Sequence, residues 1–130
     1  MNPRQFLLIG GVILIVYGVV GFILPDQSLL GGVLYWTGAE NIVHVILGVV
    51  AIAAAYVLNA DLQKWLTAAV GVVALLFFLI GLFVMATPPL NLSPGNLELV
   101  DTLVHLAVGI WALVAAFRPM PMLARQPRTT

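Results

Sequence analysis

The sequence predicts an all-α integral membrane fold, a four-helix transmembrane bundle built from two tandem helical hairpins. Three observations carry that expectation. Charged residues make up 8% of the 130-residue chain, against about 25% in a soluble domain. Hydrophobic residues make up 62%, more apolar surface than a fold of this size can hide from water. The second half of the chain also repeats the first at a constant offset. Disorder is excluded, since it needs low hydrophobicity and high charge. Five scattered basic residues make no nucleic-acid footprint. With no Cys in the chain, disulfides, thiolate metal sites and Cys nucleophiles are excluded.

A hydrocarbon core of about 30 Å needs about 20 mostly apolar helical residues. Charge-free stretches of 21 residues lie between Arg4 and Asp26, and of 20 between Glu40 and Asp61. Another of 33 residues runs from Lys64 to Glu98, interrupted by Pro88, Pro89, Pro94 and Gly95. The last, between Asp101 and Arg118, has 16 residues, so the fourth span must take in Asp101 and Glu98. The expected spans are 5–24, 40–59, 65–86 and 98–117. Apolar residues run all round each of them, as for helices that face lipid. No segment alternates apolar and polar as a membrane barrel strand would. The first span exceeds a signal-peptide core, and Phe22-Ile23-Leu24-Pro25 offers no small-residue cleavage site. It is expected to stay as a permanent helix.

Residues 60–64 are expected to form a tight link, whereas 25–39 and 87–97 are longer connections on the opposite side. All five basic residues, Arg4, Lys64, Arg118, Arg125 and Arg128, fall in the amino tail, the tight link or the carboxyl tail. The positive-inside rule then puts both termini in the cytoplasm and both long loops outside. Asp26, Glu40, Glu98 and Asp101 fall at the outer side. Tyr35 and Trp36 are expected at the outer interface and Trp65 at the inner one, where amphipathic rings belong. Leu29 to Trp36 is apolar enough to lie along the outer leaflet. Residues 118–130 form a loose, Pro-rich cytoplasmic tail.

An offset of 61 places Glu40 on Asp101, His44 on His105, Gly48 on Gly109 and Ala51 on Ala112. An offset of 60 places Gly11 on Gly71 and Gly21 on Gly81. Repeat one is 5–59 and repeat two 65–117, together a single membrane domain covering 1–130. Two hairpins with the same in-out-in course are parallel repeats about an axis along the membrane normal.

The pattern from Glu40 through His44 to Gly48, with Asp101 and His105 in the second half, resembles a family of small bacterial four-helix membrane proteins. That family is defined only as a domain of unknown function. The resemblance covers nearly the whole chain. It implies the four-helix architecture and a bacterial inner membrane, and it supplies no activity and no catalytic residues.

Positions i, i+4 and i+8 lie near one helix face, drifting by roughly 40° per step. Glu40, His44 and Gly48 therefore form one stripe, and Asp101, His105 and Gly109 another. Ionisable groups within a span usually face the bundle interior or a water-filled cavity. If the two stripes face each other, four ionisable side chains converge beneath the outer interface. The Gly beneath each His leaves room for close helix approach or for a ligand. Glu40 also closes a capping box with Thr37, and Glu98 suits the helix dipole after a cap at Asn96. Asp101 has neither role.

For His44 and His105 one reading is interhelical glue, a neutral imidazole sharing a hydrogen bond with a carboxylate or with the other His. Another is a divalent-metal or proton site, since two His and two carboxylates form an N/O ligand set. A third is haem held by both His, opposed by the crowding of nearby carboxylates and the lack of an outer-side Arg. Gly10, Gly11, Gly18 and Gly21, with Gly48, Ala51 and Ala55, suggest close packing. Trp111, mid-span, reads as lipid-facing or core filler. No phosphate loop or Ser-His-Asp set is present, so no enzyme is expected.

The expectation is a non-enzymatic inner-membrane protein, a structural or accessory subunit needing no cofactor. It would contact the lipid bilayer and other membrane proteins or a second copy of itself. The alternative is a metal, proton or haem site at His44 and His105 serving transport or electron transfer. Alternating access usually needs broken helices, and the spans hold no internal Pro. The topology is directly testable. A reporter active only in the cytoplasm should work when fused after Thr130, and one active only in the periplasm should work within 27–33. The reverse pattern would refute the orientation.

Overall fold

The structure, a computed structural model, describes residues 1–24, 28–29, 34–35, 38–86 and 97–118. Four helices make the framework: α1 (Pro3–Ile23), α2 (Gly38–Val57), α3 (Ala60–Ala86) and α4 (Leu97–Phe117). All four are long and apolar enough to cross a membrane. Between α1 and α2, the two-residue strands β1 (Ser28–Leu29) and β2 (Leu34–Tyr35) pair antiparallel, Ser28 opposite Tyr35 and Leu29 opposite Leu34. Part of the segment expected along the outer leaflet is thus a small ribbon. Asp26, Trp36, Thr37, Asn96, the prolines of the second long loop and the tail from Pro119 lie outside the described residues. So do the side chains of Tyr35 and Glu98.

The helix ends follow from local chemistry. Asn2 caps α1 by accepting from the Gln5 amide (2.9 Å), and the Gln5 side chain accepts in return from the Asn2 amide (3.0 Å). This is a capping box, with Pro3 in the first turn, where its missing N–H costs nothing. The helix therefore starts two residues earlier than its charge-free run. It stops at Leu24, which is extended (φ −70°, ψ 134°). Pro25 follows, and a proline drives the residue before it out of the helical region.

The link between α2 and α3 is shorter than expected. Residues 60–64 are not a loop but the first turn and more of α3, and only Leu58 and Asn59 connect the helices. Asn59 is the cap, its Oδ1 accepting from the Leu62 amide at 3.0 Å. A charge-free window stops at Lys64, but a helix does not stop at a charge. At about 1.5 Å per residue the 27 residues of α3 span about 40 Å. That exceeds the roughly 30 Å of a hydrocarbon core, so a helix of this length has room for a charged first turn with Asp61 and Lys64 outside its apolar stretch. Side chains satisfy two carbonyls at the end of α2, those of Ala55 and of Leu58 just beyond it. Gln63 Nε2 donates to Ala55 O (3.0 Å) and Leu58 O (2.8 Å), and Arg4 Nε donates to the same Ala55 O (3.2 Å).

The helices pack chiefly as two hairpins, α1 against α2 and α3 against α4, with α1 also touching α3 and α4. The shared core, Phe6, Leu7, Ala54, Ala55, Ala112 and Ala115, sits toward the end that holds the α2–α3 link. Trp111 fills its edge, edge-on to Phe6 at 4.7 Å between ring centroids. Between 22% and 28% of each apolar helix window is buried, so most of the apolar surface faces outward, the inverse of a water-soluble bundle.

Each hairpin closes at glycine, the first on backbone and the second on leucine side chains. A Cβ on Gly11 would stand 2.8 Å from Gly48 O and 2.7 Å from Ile52 Cγ1, and one on Gly48 would stand 2.6 Å from Gly11 O. In the second hairpin a Cβ on Gly71 would meet Leu113 at 2.9 Å, and one on Gly109 would meet Leu75 at 2.7 Å. A Cβ on Gly10 meets nothing within 4 Å. Two neighbouring glycines of one helix therefore give a controlled comparison. Gly11→Ala should destabilise the protein by about 1–3 kcal/mol through overpacking. Gly10→Ala should leave it unchanged or gain up to about 1 kcal/mol of helix propensity. Thermal melts in detergent would read both, and equal effects would contradict the close crossing.

Candidate functional site

The two acid–His–Gly stripes do not face one another. Gly48 lies against Gly11 and Ile15, and Gly109 against Gly71 and Leu75, so each stripe faces the first helix of its own hairpin. Among the described residues no three His, Asp or Glu side chains come close enough to share a metal ion. The convergence of Glu40, His44, Asp101 and His105 that facing stripes would give is not formed among the described residues, for a physical reason. The glycine beneath each His is used for close helix approach, and that approach turns the His toward α1 or α3.

What results is one station per hairpin. His44 packs edge-on to Tyr17 of α1, with centroids 5.0 Å apart. His105 packs on Phe77 of α3 at 5.3 Å. Both rings bind the backbone one turn back. The Nδ1–H of His44 donates to the Glu40 carbonyl (2.7 Å), and that of His105 donates to the Asp101 carbonyl (2.9 Å). His105 Nδ1 is also 3.3 Å from Asp101 Oδ2. A ring whose Nδ1 carries the donated hydrogen keeps Nε2 as its remaining basic nitrogen. Each station can thus take up a proton or one ligand at Nε2. Asp101, its side chain 55% exposed, gains in His105 the partner that its position in the helix requires.

The correspondence between halves goes well beyond the six position pairs read from the sequence. Asn41 packs on Gly21, and Thr102 on Gly81. Ile52 sits on Gly11, and Leu113 on Gly71. Tyr17 and Phe77 hold the same place under their His. At the link end Arg4 stands 5.5 Å from the Tyr56 ring, and Lys64 stands 5.4 Å from that of Phe117. Asn41, Gly48, Ala54 and Ala55 are buried, and so are Thr102, Gly109, Ala115 and Ala116. Each of these pairs is separated by 60 or 61 residues. The signal was present in the chain, and extending the offsets to chemically similar rather than identical residues finds it.

The halves differ at Asn41. Its side chain is fully buried, and neither its Oδ1 nor its Nδ2 has a hydrogen-bond partner among the described residues. Thr67 is buried with its hydroxyl in the same condition. An unmet buried polar group costs about 1–3 kcal/mol.

The Asp101–His105 contact can be weighed by a double-mutant cycle on Asp101→Asn and His105→Leu, followed by thermal melts in detergent. Groups in contact couple by about 0.5–3 kcal/mol. Loss of His105 alone should therefore destabilise more than loss of both. Simple additivity would show that the two side chains do not interact.

No protein-family model matches the chain, and neither a curated protein nor a solved structure matches it.

Proposed function

We propose that the chain is a small, non-enzymatic, multi-pass protein of a bacterial inner membrane that acts as a structural or accessory subunit. In this reading it is two parallel hairpin repeats with both termini in the cytoplasm. The observation that carries it is the duplicated set of contacts, glycine for glycine and His for His, on four helices that turn most of their apolar surface outward. Such a surface is stable in lipid, where backbone groups must be satisfied within each helix. The motif likeness to small bacterial four-helix membrane proteins supports the same architecture.

In this role the His stations hold α2 on α1 and α4 on α3. Polar contacts between membrane helices contribute roughly 0.6–2 kcal/mol. A second reading, a proton, metal or haem site serving transport or electron transfer, draws on the basic Nε2 of each ring. In that reading each station would act by itself or with ligands from another chain, since among the described residues no three candidate ligands lie together.

Purified protein in detergent discriminates the two. The structural reading expects no visible absorption band, no stoichiometric metal, and unchanged helix content and oligomeric state in a His44→Phe, His105→Phe double variant that keeps the ring packing. A Soret band, or metal in fixed ratio to protein that this variant loses, would overturn it.

A further inference from the structure

The second hairpin carries a feature at its link end that the first lacks. Lys64 stands over two rings, 5.4 Å from Phe117 and 5.7 Å from Trp65. Those rings are themselves edge-to-face at 6.4 Å. In the first hairpin the equivalent Arg4 is engaged by Ala55 O. Among the described residues the Lys64 ammonium has ring faces but no carboxylate or carbonyl partner. Beside it, Leu113, Val114, Phe117 and Arg118 line a shallow apolar groove of about 420 Å³. Arg118, one residue past the end of α4, caps this groove with a second cation, and its counterpart in the first hairpin is the apolar Val57. Asp61 is the one acid among the described residues at this end. Arg118 lines the groove itself, and Lys64 lies against Phe117, another of its lining residues.

We propose that this trough is a binding site for an anionic phospholipid of the inner leaflet. The phosphate would lie between Lys64 and Arg118, the acyl chain along Leu113, Val114 and Phe117, and Trp65 at the headgroup level. The inference rests on the membrane reading above, which puts this end of the helices at the cytoplasmic surface. Charge complementarity selects the ligand. A lysine held by ring faces keeps its donors for an acceptor from outside the protein. A basic pair at a helix end recognises acidic headgroups at about 1 kcal/mol per cation. The apolar lining calls for an acyl chain, which inorganic phosphate lacks. The first hairpin supplies a control, since it has the ring-stacked cation Arg4 but the apolar Val57 where the second has Arg118.

The full chain would be purified in detergent and titrated with phosphatidylglycerol or with phosphatidylcholine. Retained lipid would be read by native mass spectrometry and the melting temperature in parallel. The expected result is retention of phosphatidylglycerol in preference to phosphatidylcholine, with a raised melting temperature. Lys64→Gln combined with Arg118→Gln should weaken that retention about thirtyfold, the equivalent of about 2 kcal/mol. Arg4→Gln should weaken it little, and Lys64→Arg, a charge-keeping variant, should retain it. Equal retention of both lipids, an equal loss in Arg4→Gln, or competition by inorganic phosphate at the same concentration as the lipid would each overturn the site. Flotation with vesicles of phosphatidylcholine alone separates the two readings. Failure to float refutes the membrane assignment, whereas flotation with no preference for phosphatidylglycerol refutes only the lipid site.

Discussion

The contact on which this fold depends is close helix approach at glycine, backbone against backbone where Gly11 meets Gly48, and glycine under leucine where Gly71 receives Leu113 and Gly109 receives Leu75. Helices surrounded by lipid gain no hydrophobic free energy by meeting one another, so close van der Waals approach must hold them. Glycine allows that approach because it puts no side chain between two helices. Once Gly48 lies on Gly11, the residues one turn away are committed too. His44 must come down on Tyr17, and Asn41 must enter the space beside Gly18 and Gly21. The same chain of consequences runs through the second hairpin to Phe77 and Gly81. The polar stations are thus a product of glycine placement as much as of the His residues themselves.

The parts of the structure that could be read in the sequence are those governed by solvent transfer. Four apolar runs of membrane length give four helices, because a charge inside hydrocarbon is costly whatever the tertiary context. A charge-free window misses the start of α3 because its first turns carry Asp61 and Lys64, and a helix can project beyond an apolar slab. Face assignment was also readable, since His44 and Gly48 had to share a side of α2. Helical periodicity says which residues share a face but is silent on which helix that face meets. The partner was encoded elsewhere, in Gly11 and Gly71, whose matching offset identifies the surfaces that receive the stripes. Asn41 left no such trace, because a buried amide without a partner runs against every local rule.

The two halves are alike in their interior and unlike at their ends. Paired positions carry similar residues where helices touch, as in Ile52 and Leu113 or Tyr17 and Phe77. They differ where the surroundings differ. Gln63 binds the end of α2, a task with no counterpart at the start of α1, where Asn2 and Gln5 cap each other. Val57 and Arg118 occupy equivalent places, yet one precedes a two-residue link and the other begins the tail. Symmetry in this molecule belongs to packing, and difference belongs to connection and surface.

The hairpin-local character of the contacts has a consequence for biosynthesis. The partners seen for His44, Tyr17 and the Glu40 carbonyl, lie within residues 1–58, so that contact is complete in sequence before any of α3 leaves the ribosome. Chains fold from the N-terminus as they are made, and contacts close in sequence cost little loop entropy to form. The first hairpin can therefore reach its final packing while the second is still being synthesised. Contacts that bridge the halves, such as Phe6 on Trp111, must wait until the chain is nearly finished. The surface of α1 that later meets α4 stays open through most of translation. It is the face a nascent chain would present to an insertion factor or to a neighbouring helix before its own second half arrives.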